Sequence, residues 1–331
     1  MNKELMGALD ELEREKNISK ETLLDAIEQS LIQAYKNHFG KADNVHVTIN
    51  RETGDFSVYA DRRVVEFVED PAEEVSLVEA QKQNTNAEVG DILKVPVHSD
   101  KFGRIATQNA KNVILQKIRE EERKVLFDQY HGNEKEVVTG IVQRVVGHNV
   151  SVNLGKADAI LAENEQVKGE TFKPTERIKV YILEVKDTPK GPRILVSRTH
   201  PGLVKRLFES EVAEVKDGTV EIKSIAREAG SRTKLAVWSN DPDVDPVGAC
   251  VGVNGARVSA IVNELRGEKI DIINWDENPA ILIENALSPA KVIAVMADPD
   301  EKTALVVVPD YQLSLAIGKE GQNARLAARL T

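Results

Sequence analysis

Apolar residues recur along this chain first with a helical period and then with a period of two, and the switch divides it into segments. Leu5, Leu9 and Leu12 predict a short helix. Ser19 is placed to cap a second, which carries Leu24, Ile27, Leu31 and Tyr35 and is expected to end at Gly40. Alternation follows at Val45, Val47 and Ile49, then at Phe56 and Val58, across a turn-like stretch at 50–55. RRVVEFV (62–68) reads as a third strand and DILKVPV (91–97) as another; residues 69–90, rich in Glu, Gln and Asn, read as an exposed connection. Helical spacing returns over 106–130, through Ala110, Val113, Ile114, Ile118, Val125 and Leu126, and Gly132 stops a long helix there.

The next segment alternates throughout. VVTGIVQRVV, NVSVNL, KADAILA, ERIKVYILEV and PRILVSR lie within 136–198, with Gly140, Gly147 and Gly155 at the bends. Five short strands in so little chain predict a small Greek-key barrel of the OB type, a class that binds single strands across one face.

From Pro201 an internal repeat appears. Pro201 and Pro279 each sit at a helix start. Two strands come next, TVEIKSI and TKLAVWS in one copy, KVIAVMA and TALVVVP in the other. A short apolar helix then leads into Gly-x-x-Gly, at 252–255 and at 318–321, and another helix leaves it. KIDII (269–273) closes the first copy; its counterpart, 66 residues on, would begin at 335, past Thr331, so the second copy is expected to lack its last strand and the natural chain to continue.

Gly-x-x-Gly between helices has a chemical meaning. Glycines without Cβ atoms let a nucleic-acid backbone approach, and the following helix offers free N–H groups and its positive end to a phosphate. A single copy says little. Two copies in register with repeated strands and helices point to KH modules of the bacterial arrangement, whose loop clamps about four nucleotides of a single strand.

With these motifs in hand, the chain resembles the NusA family of bacterial transcription elongation, termination and antitermination factors. The resemblance covers all 331 residues, and FGRIATQNAKNVI, ILVSRTHPGLV, GARVSAIVNELRGEKIDI and IGKEGQNARLAARLT carry it. It implies a multidomain α+β chain: an N-terminal RNA polymerase-binding domain at 1–132 ending in the long helix, an OB-type barrel at 133–200, and tandem KH domains at 201–276 and 277–331. It further implies single-stranded nascent RNA and Nus-type antitermination factors as partners, a monomer, and no covalent chemistry. Carried over, the RNA-facing positions are Gly252, Val253, Asn254, Gly255 and Arg257 in the first loop, and Gly318, Lys319, Glu320, Gly321 and Arg325 in the second. Val253–Asn254 and Glu320 make these clamps less basic than the family's usual pattern, with Arg257, Lys319 and Arg325 expected to compensate.

Charge changes this picture only locally. The net charge of −10 divides into −7 over 1–130, +2 over 131–200 and −5 over 201–331, which argues against indiscriminate coating of nucleic acid. The mildly basic middle contains Arg144, Lys156, Lys179, Lys186, Lys190, Arg193 and Arg198 as a candidate strip, of which Arg144, Lys179, Lys186, Arg193 and Arg198 are its chosen RNA contacts. Phe172 and Tyr181 are its only aromatics, too few for a stacking platform, and Trp238 and Trp275 are expected to pack. The six histidines are dispersed, no Walker-type loop is present, and Cys250 sits in an apolar helix, so neither an enzyme, nor a metal, nor a cofactor is expected. One cysteine and no apolar run of membrane-spanning length fit a cytoplasmic protein. The alternative, an RNA-processing or ribosome-associated protein of the polynucleotide phosphorylase kind, carries its KH module before the barrel and after catalytic domains, the reverse of the order here.

Overall fold

A computed structural model describes residues 2–16, 18–39, 44–96 and 100–331 of the chain. It falls into two compact units, 1–125 and 126–331.

In the first unit, α1 (Asn2–Lys16) and α2 (Lys20–Phe39) bury Met6, Leu9, Leu24, Ile27, Leu31 and Tyr35 against β1 (Val45–Ile49) and β2 (Phe56–Val65). Ser19 Oγ accepts the Thr22 amide at 3.5 Å, the expected cap of α2; its expected end at Gly40 lies outside the described residues. Two expectations are corrected. Residues 56–65 form one strand, because β1 pairs with 56–60 on one side and β4 (Ile92–Pro96) with 59–63 on the other, so no break separates Val58 from Arg62. Residues 69–90 are no bare connection either. They contain β3 (Glu74–Ser76), parallel to β2, and α3 (Leu77–Gln83), capped by Ser76. Val64, Val75, Ala80, Ala87 and Val95 form a small core of their own there. Its apolar positions are too widely spaced among polar residues to give a periodic signal. The long helix α4 (Asp100–His131) starts six residues before the expected 106, and Ala110, Val113, Ile114 and Ile118 pack on the main core.

In the second unit, the last turns of α4 seal the barrel, Tyr130 donating to the Leu154 carbonyl at 3.1 Å. The strands β5 (Val137–Val146), β6 (Asn149–Asn153), β7 (Asp158–Leu161), β8 (Arg177–Lys186) and β9 (Arg193–Ser197) close in the order β5-β6-β7-β9-β8, with β7 and β9 parallel. Alternation puts Val150, Val152, Ile178, Val180, Ile182, Ile194 and Val196 inside.

The first repeat contains α5 (Pro201–Glu211), α6 (Ala213–Lys216), β10 (Val220–Glu228), β11 (Arg232–Ser239), α7 (Pro246–Val251), α8 (Ala256–Glu264) and β12 (Lys269–Asn274). Its sheet runs β10-β11-β12, with β12 parallel to β11. The second contains α9 (Pro279–Ala286), β13 (Ala294–Asp298), β14 (Thr303–Val307), α10 (Asp310–Ile317) and α11 (Gln322–Leu330). Among the described residues its sheet has two strands. Pro201 and Pro279 both open helices as expected, capped by His200 Nδ1 and by the Asn278 side chain. Leu326, Ala327 and Leu330 of α11 pack with Ala226, Ala236 and Ile273 of the first repeat, so the two modules share one core.

Candidate nucleic-acid interface

The two Gly-x-x-Gly loops have the same backbone. Gly252 lies at φ 75°, ψ 174° and Gly318 at 76°, 172°. Asn254 and Glu320 lie at 53°, 27° and 54°, 27°, and Gly255 and Gly321 at 74°, 16° and 73°, 13°. The first glycine of each loop combines positive φ with extended ψ, a region only glycine enters without strain. The residue five places on also crowds it: a Cβ on Gly252 would stand 2.8 Å from Arg257 Cγ, and one on Gly318 2.8 Å from Asn323 Cβ and from its backbone nitrogen. The Arg257 chain can move aside; the backbone of α11 cannot. Gly318→Ala is therefore expected to lower the urea midpoint more than Gly252→Ala, the shared conformational strain being about 1–3 kcal/mol. Equal midpoints would contradict this.

Those contacts reveal the register of the repeat. Arg257 aligns with Asn323, not with Arg325. Arg257 Nη1 donates to the Ala249 carbonyl at 2.7 Å, and Asn323 Nδ2 reaches the matching Leu315 carbonyl at 3.4 Å and Ala316 at 3.1 Å. Both side chains fold beneath their loop and hold the end of the preceding helix. Arg257 is also paired with Glu214 at 2.9 Å. Expected as a compensating loop cation, Arg257 is 34% exposed, with its guanidinium engaged by Glu214 and the Ala249 carbonyl. Arg325 pairs with Glu228 at 2.6 Å and donates to the Glu320 carbonyl at 3.1 Å. Lys319 and Glu320 are exposed at the second loop; Val253, 83% exposed, and Asn254 form the tip of the first.

Beyond each loop the chain offers what an anion needs. Helices α5, α7 and α9 begin with a side chain bonded to their first amides, whereas α8 and α11 begin at Gly255 and Gly321 with none. The first amide of each is taken up by a loop carbonyl, Ala256 by Val253 and Gln322 by Lys319, which leaves the next amides and the positive dipole end as the groups an anion would use.

The barrel cations are less unified than the sequence implies. Arg144, Lys156, Lys186, Lys190 and Arg193 are exposed. Lys186 and Arg193 are register partners on β8 and β9, while Arg144 lies beyond the part of β5 that pairs with β8. Lys186 pairs with Glu184 at 3.0 Å, and half-buried Lys179 lies 3.9 Å from Glu211. Arg198 is a correction. It is 1% exposed, bonded twice to Glu170 at 2.6 and 2.7 Å, and it also donates to the Lys179 and Glu264 carbonyls at 2.7 and 3.0 Å. Burial is the largest influence and opposes its charge, but the hydrogen bonds and negative charges of Glu170 and Glu264 together outweigh it and raise its pKa. Arg198 thus joins the barrel to α8 and is unavailable to RNA; a lone basic letter on a strand gives no sign of this. Arg266 adds a second tie, to Glu176 at 2.9 Å and over Phe172 at 5.1 Å. Tyr181 is buried against His200. Trp238 and Trp275 touch edge to face at 5.7 Å, though Trp238 stays partly exposed.

Relatives decide the family. The chain matches a NusA N-terminal domain over residues 4–124, an S1 RNA binding domain over 132–197, a NusA-like first KH domain over 198–275 and a NusA-like second KH domain over 279–331. It is 56% identical over 331 residues to the transcription termination/antitermination protein NusA of Bacillus subtilis (strain 168), covering 100% of this chain and 89% of that protein. The chain belongs to the NusA family. Its NusA counterpart from Thermus thermophilus is 42% identical, with 100% of this chain and 88% of that protein covered. The solution structure of the N-terminal domain of NusA from B. subtilis is 49% identical, covers 37% of this chain and 99% of that one, and superposes with a TM-score of 0.32. The expected fold class holds: an α+β NusA N-terminal domain, an S1 barrel of OB type and two KH domains, in a family of RNA-binding transcription factors.

Burial pushes the Cys250 thiol up to about 11, so it is packed as a small hydrophobe with little thiolate at neutral pH. No helix among the described residues is long and apolar enough to cross a membrane.

Proposed function

We propose that the protein bridges RNA polymerase and nascent single-stranded RNA, and that this bridge modulates pausing, intrinsic termination and, with partner factors, antitermination. In this reading residues 1–132 hold the polymerase, and the barrel and KH modules receive the emerging RNA, with no covalent chemistry. The carrying observation is the pair of identical Gly-x-x-Gly backbones, each feeding a helix start left uncapped by side chains. Gly252, Val253, Asn254, Gly255, Gly318, Lys319, Glu320 and Gly321 are the RNA-facing positions, with Arg144, Lys186 and Arg193 as peripheral barrel contacts.

For the polymerase end, the small core of the first unit supports a candidate face. Phe67, 85% exposed, and Val68 follow β2, Val78 lies in the first turn of α3 beside it, and Val89 and Ile92 border the same end of the sheet. Exposed Glu66, Glu69, Glu88 and Asp91 surround them. Such a patch fits an apolar segment of polymerase with basic flanks. Phe67→Ser is expected to reduce polymerase co-purification at least tenfold and leave RNA affinity unchanged; undiminished co-purification would remove this face.

The deciding experiment is a paused-transcription assay comparing the intact chain with 126–331, cut where the second compact unit begins. The fragment should bind single-stranded RNA and fail to prolong pauses. A fragment that pauses as well as the whole chain would break the bridge, and equal binding of RNA and duplex DNA would remove the KH reading.

A further inference from the structure

Glu228 ends β10 in the first KH module, yet its partners are in the second. Arg325 donates to it through Nε at 2.6 Å and Nη2 at 3.2 Å, Gln322 through Nε2 at 2.8 Å, and Arg329 lies 3.8 Å away. All three donors project from α11, the helix that leaves the second Gly-x-x-Gly loop. The Gln322 amide also donates to Ser231 at 2.7 Å. The hydrogen bonds from Arg325 and then Gln322 hold the Glu228 carboxyl down at about 2, so it is ionised throughout the physiological range.

The docking of the two modules does not rest on this charge alone. Leu326, Ala327 and Leu330 also pack with Ala226 and Ala236, and Asn323 donates to the Leu287 carbonyl at 3.1 Å. What the carboxylate changes is the potential at the cleft. The cations of the second loop and the helix leaving it are Lys319, Arg325 and, in the last turn of that helix, Arg329, and Glu320 already offsets one of them. Glu228 offsets another from beneath, although Arg325 and Arg329 are themselves about half exposed. The first module has no equivalent: Ser259 stands where the repeat register puts Arg325.

We propose that Glu228 is an affinity-setting residue of the second KH cleft, a carboxylate lent by the first module that holds Arg325 and Arg329 off the RNA phosphates and so caps the strength and salt dependence of binding. This rests on the RNA platform of the preceding section. Glu228 acts through the two arginines and touches no RNA itself, which makes it a positioning residue.

The test titrates a short single-stranded RNA oligonucleotide onto the full chain at several salt concentrations. Glu228→Gln keeps an acceptor for Arg325 and Gln322 and removes the charge. It should bind about fivefold tighter at ~0.1 M salt and steepen the slope of log K against log salt by about 0.7, the release expected for one more phosphate contact on a single strand. Glu228→Gln combined with Arg325→Gln should return both to wild-type values. Glu221→Gln, a carboxylate on the same strand paired with Lys223, should shift the slope little. Glu228→Asp keeps the charge but shortens the reach, and should leave affinity and slope as they are. The proposal is overturned if Glu228→Gln binds with an unchanged or shallower slope, or if Glu228→Asp weakens binding as a lost structural tie would. If Glu228→Gln does not fold, as judged by thermal melting, the Glu228→Asp result decides. Failure of the wild-type chain to bind the oligonucleotide would instead overturn the RNA platform beneath it.

Discussion

Replacing Arg198 with alanine is expected to lower the unfolding free energy of the second unit by about 3–5 kcal/mol, the cost of leaving a buried partner charge uncompensated. Glu170 is 5% exposed and would lose both bonds, at 2.6 and 2.7 Å, and keep only Arg266 at 3.9 Å as a cation beside it. The Lys179 carbonyl and the last turn of α8 would lose their donor as well. Urea unfolding followed by tryptophan fluorescence is the measurement, since Trp238 and Trp275 both report from the first KH module. Arg198→Lys should recover only part of the loss, because an ammonium cannot bond Glu170 in fork fashion and also reach two carbonyls. A loss below about 1 kcal/mol for Arg198→Ala would show that the barrel and α8 hold together without this residue.

The other large effect is expected at the loops. Gly318→Asp with Gly321→Asp puts two carboxylates where the strand's phosphates must come. Each unit of charge lost at the contact is worth about fivefold in affinity at ~0.1 M salt, so the pair should weaken RNA binding roughly 20-fold or more. Gly252→Asp with Gly255→Asp should weaken it to a similar degree, because the two loops share one backbone. Thermal melting of each variant separates lost binding from lost folding. A large asymmetry between the pairs would assign the binding to one module and a supporting role to the other.

Acid should weaken the tie between the modules only below the ordinary carboxylate range. A carboxyl whose folded pKa is depressed contributes its stabilisation fully above its unfolded value and loses it as pH falls toward the folded one. For Glu228 that window runs from the ordinary 4.5 down to about 2. Between neutrality and about pH 5 the tie should be indifferent to pH, as amide exchange in α11 can show. Loosening of α11 already at pH 6 would contradict it.

The repeat was readable because glycine, proline and strand periodicity each mark backbone conformations that few other residues satisfy. Pro201, Pro279 and the four loop glycines occupy the places their spacing implies. The roles of the charged residues were not readable. Arg198, Arg257 and Arg325 look alike in sequence, and their partners Glu170, Glu214 and Glu228 are distant along the chain. Only the folded arrangement decides whether a guanidinium meets solvent, a carbonyl or a carboxylate. The alignment of Arg257 with Asn323 could have been found by carrying the 66-residue offset past the glycines, and it would have warned against treating Arg257 and Arg325 as equivalents. The small core of residues 64–95 was missed because it is built from isolated Val and Ala positions that form no run.

Arginine in one module and asparagine in the other serve the same acceptor, a carbonyl in the last turn of the helix before the loop. What the two copies hold in common is an acceptor that must be met and a turn that must be made. The letters that meet these demands differ between the copies, and so do the two residues displayed between the glycines. Each loop is therefore a fixed socket with an exchangeable face, so under the proposed RNA contact the preferences of the two modules can differ without either having to fold anew.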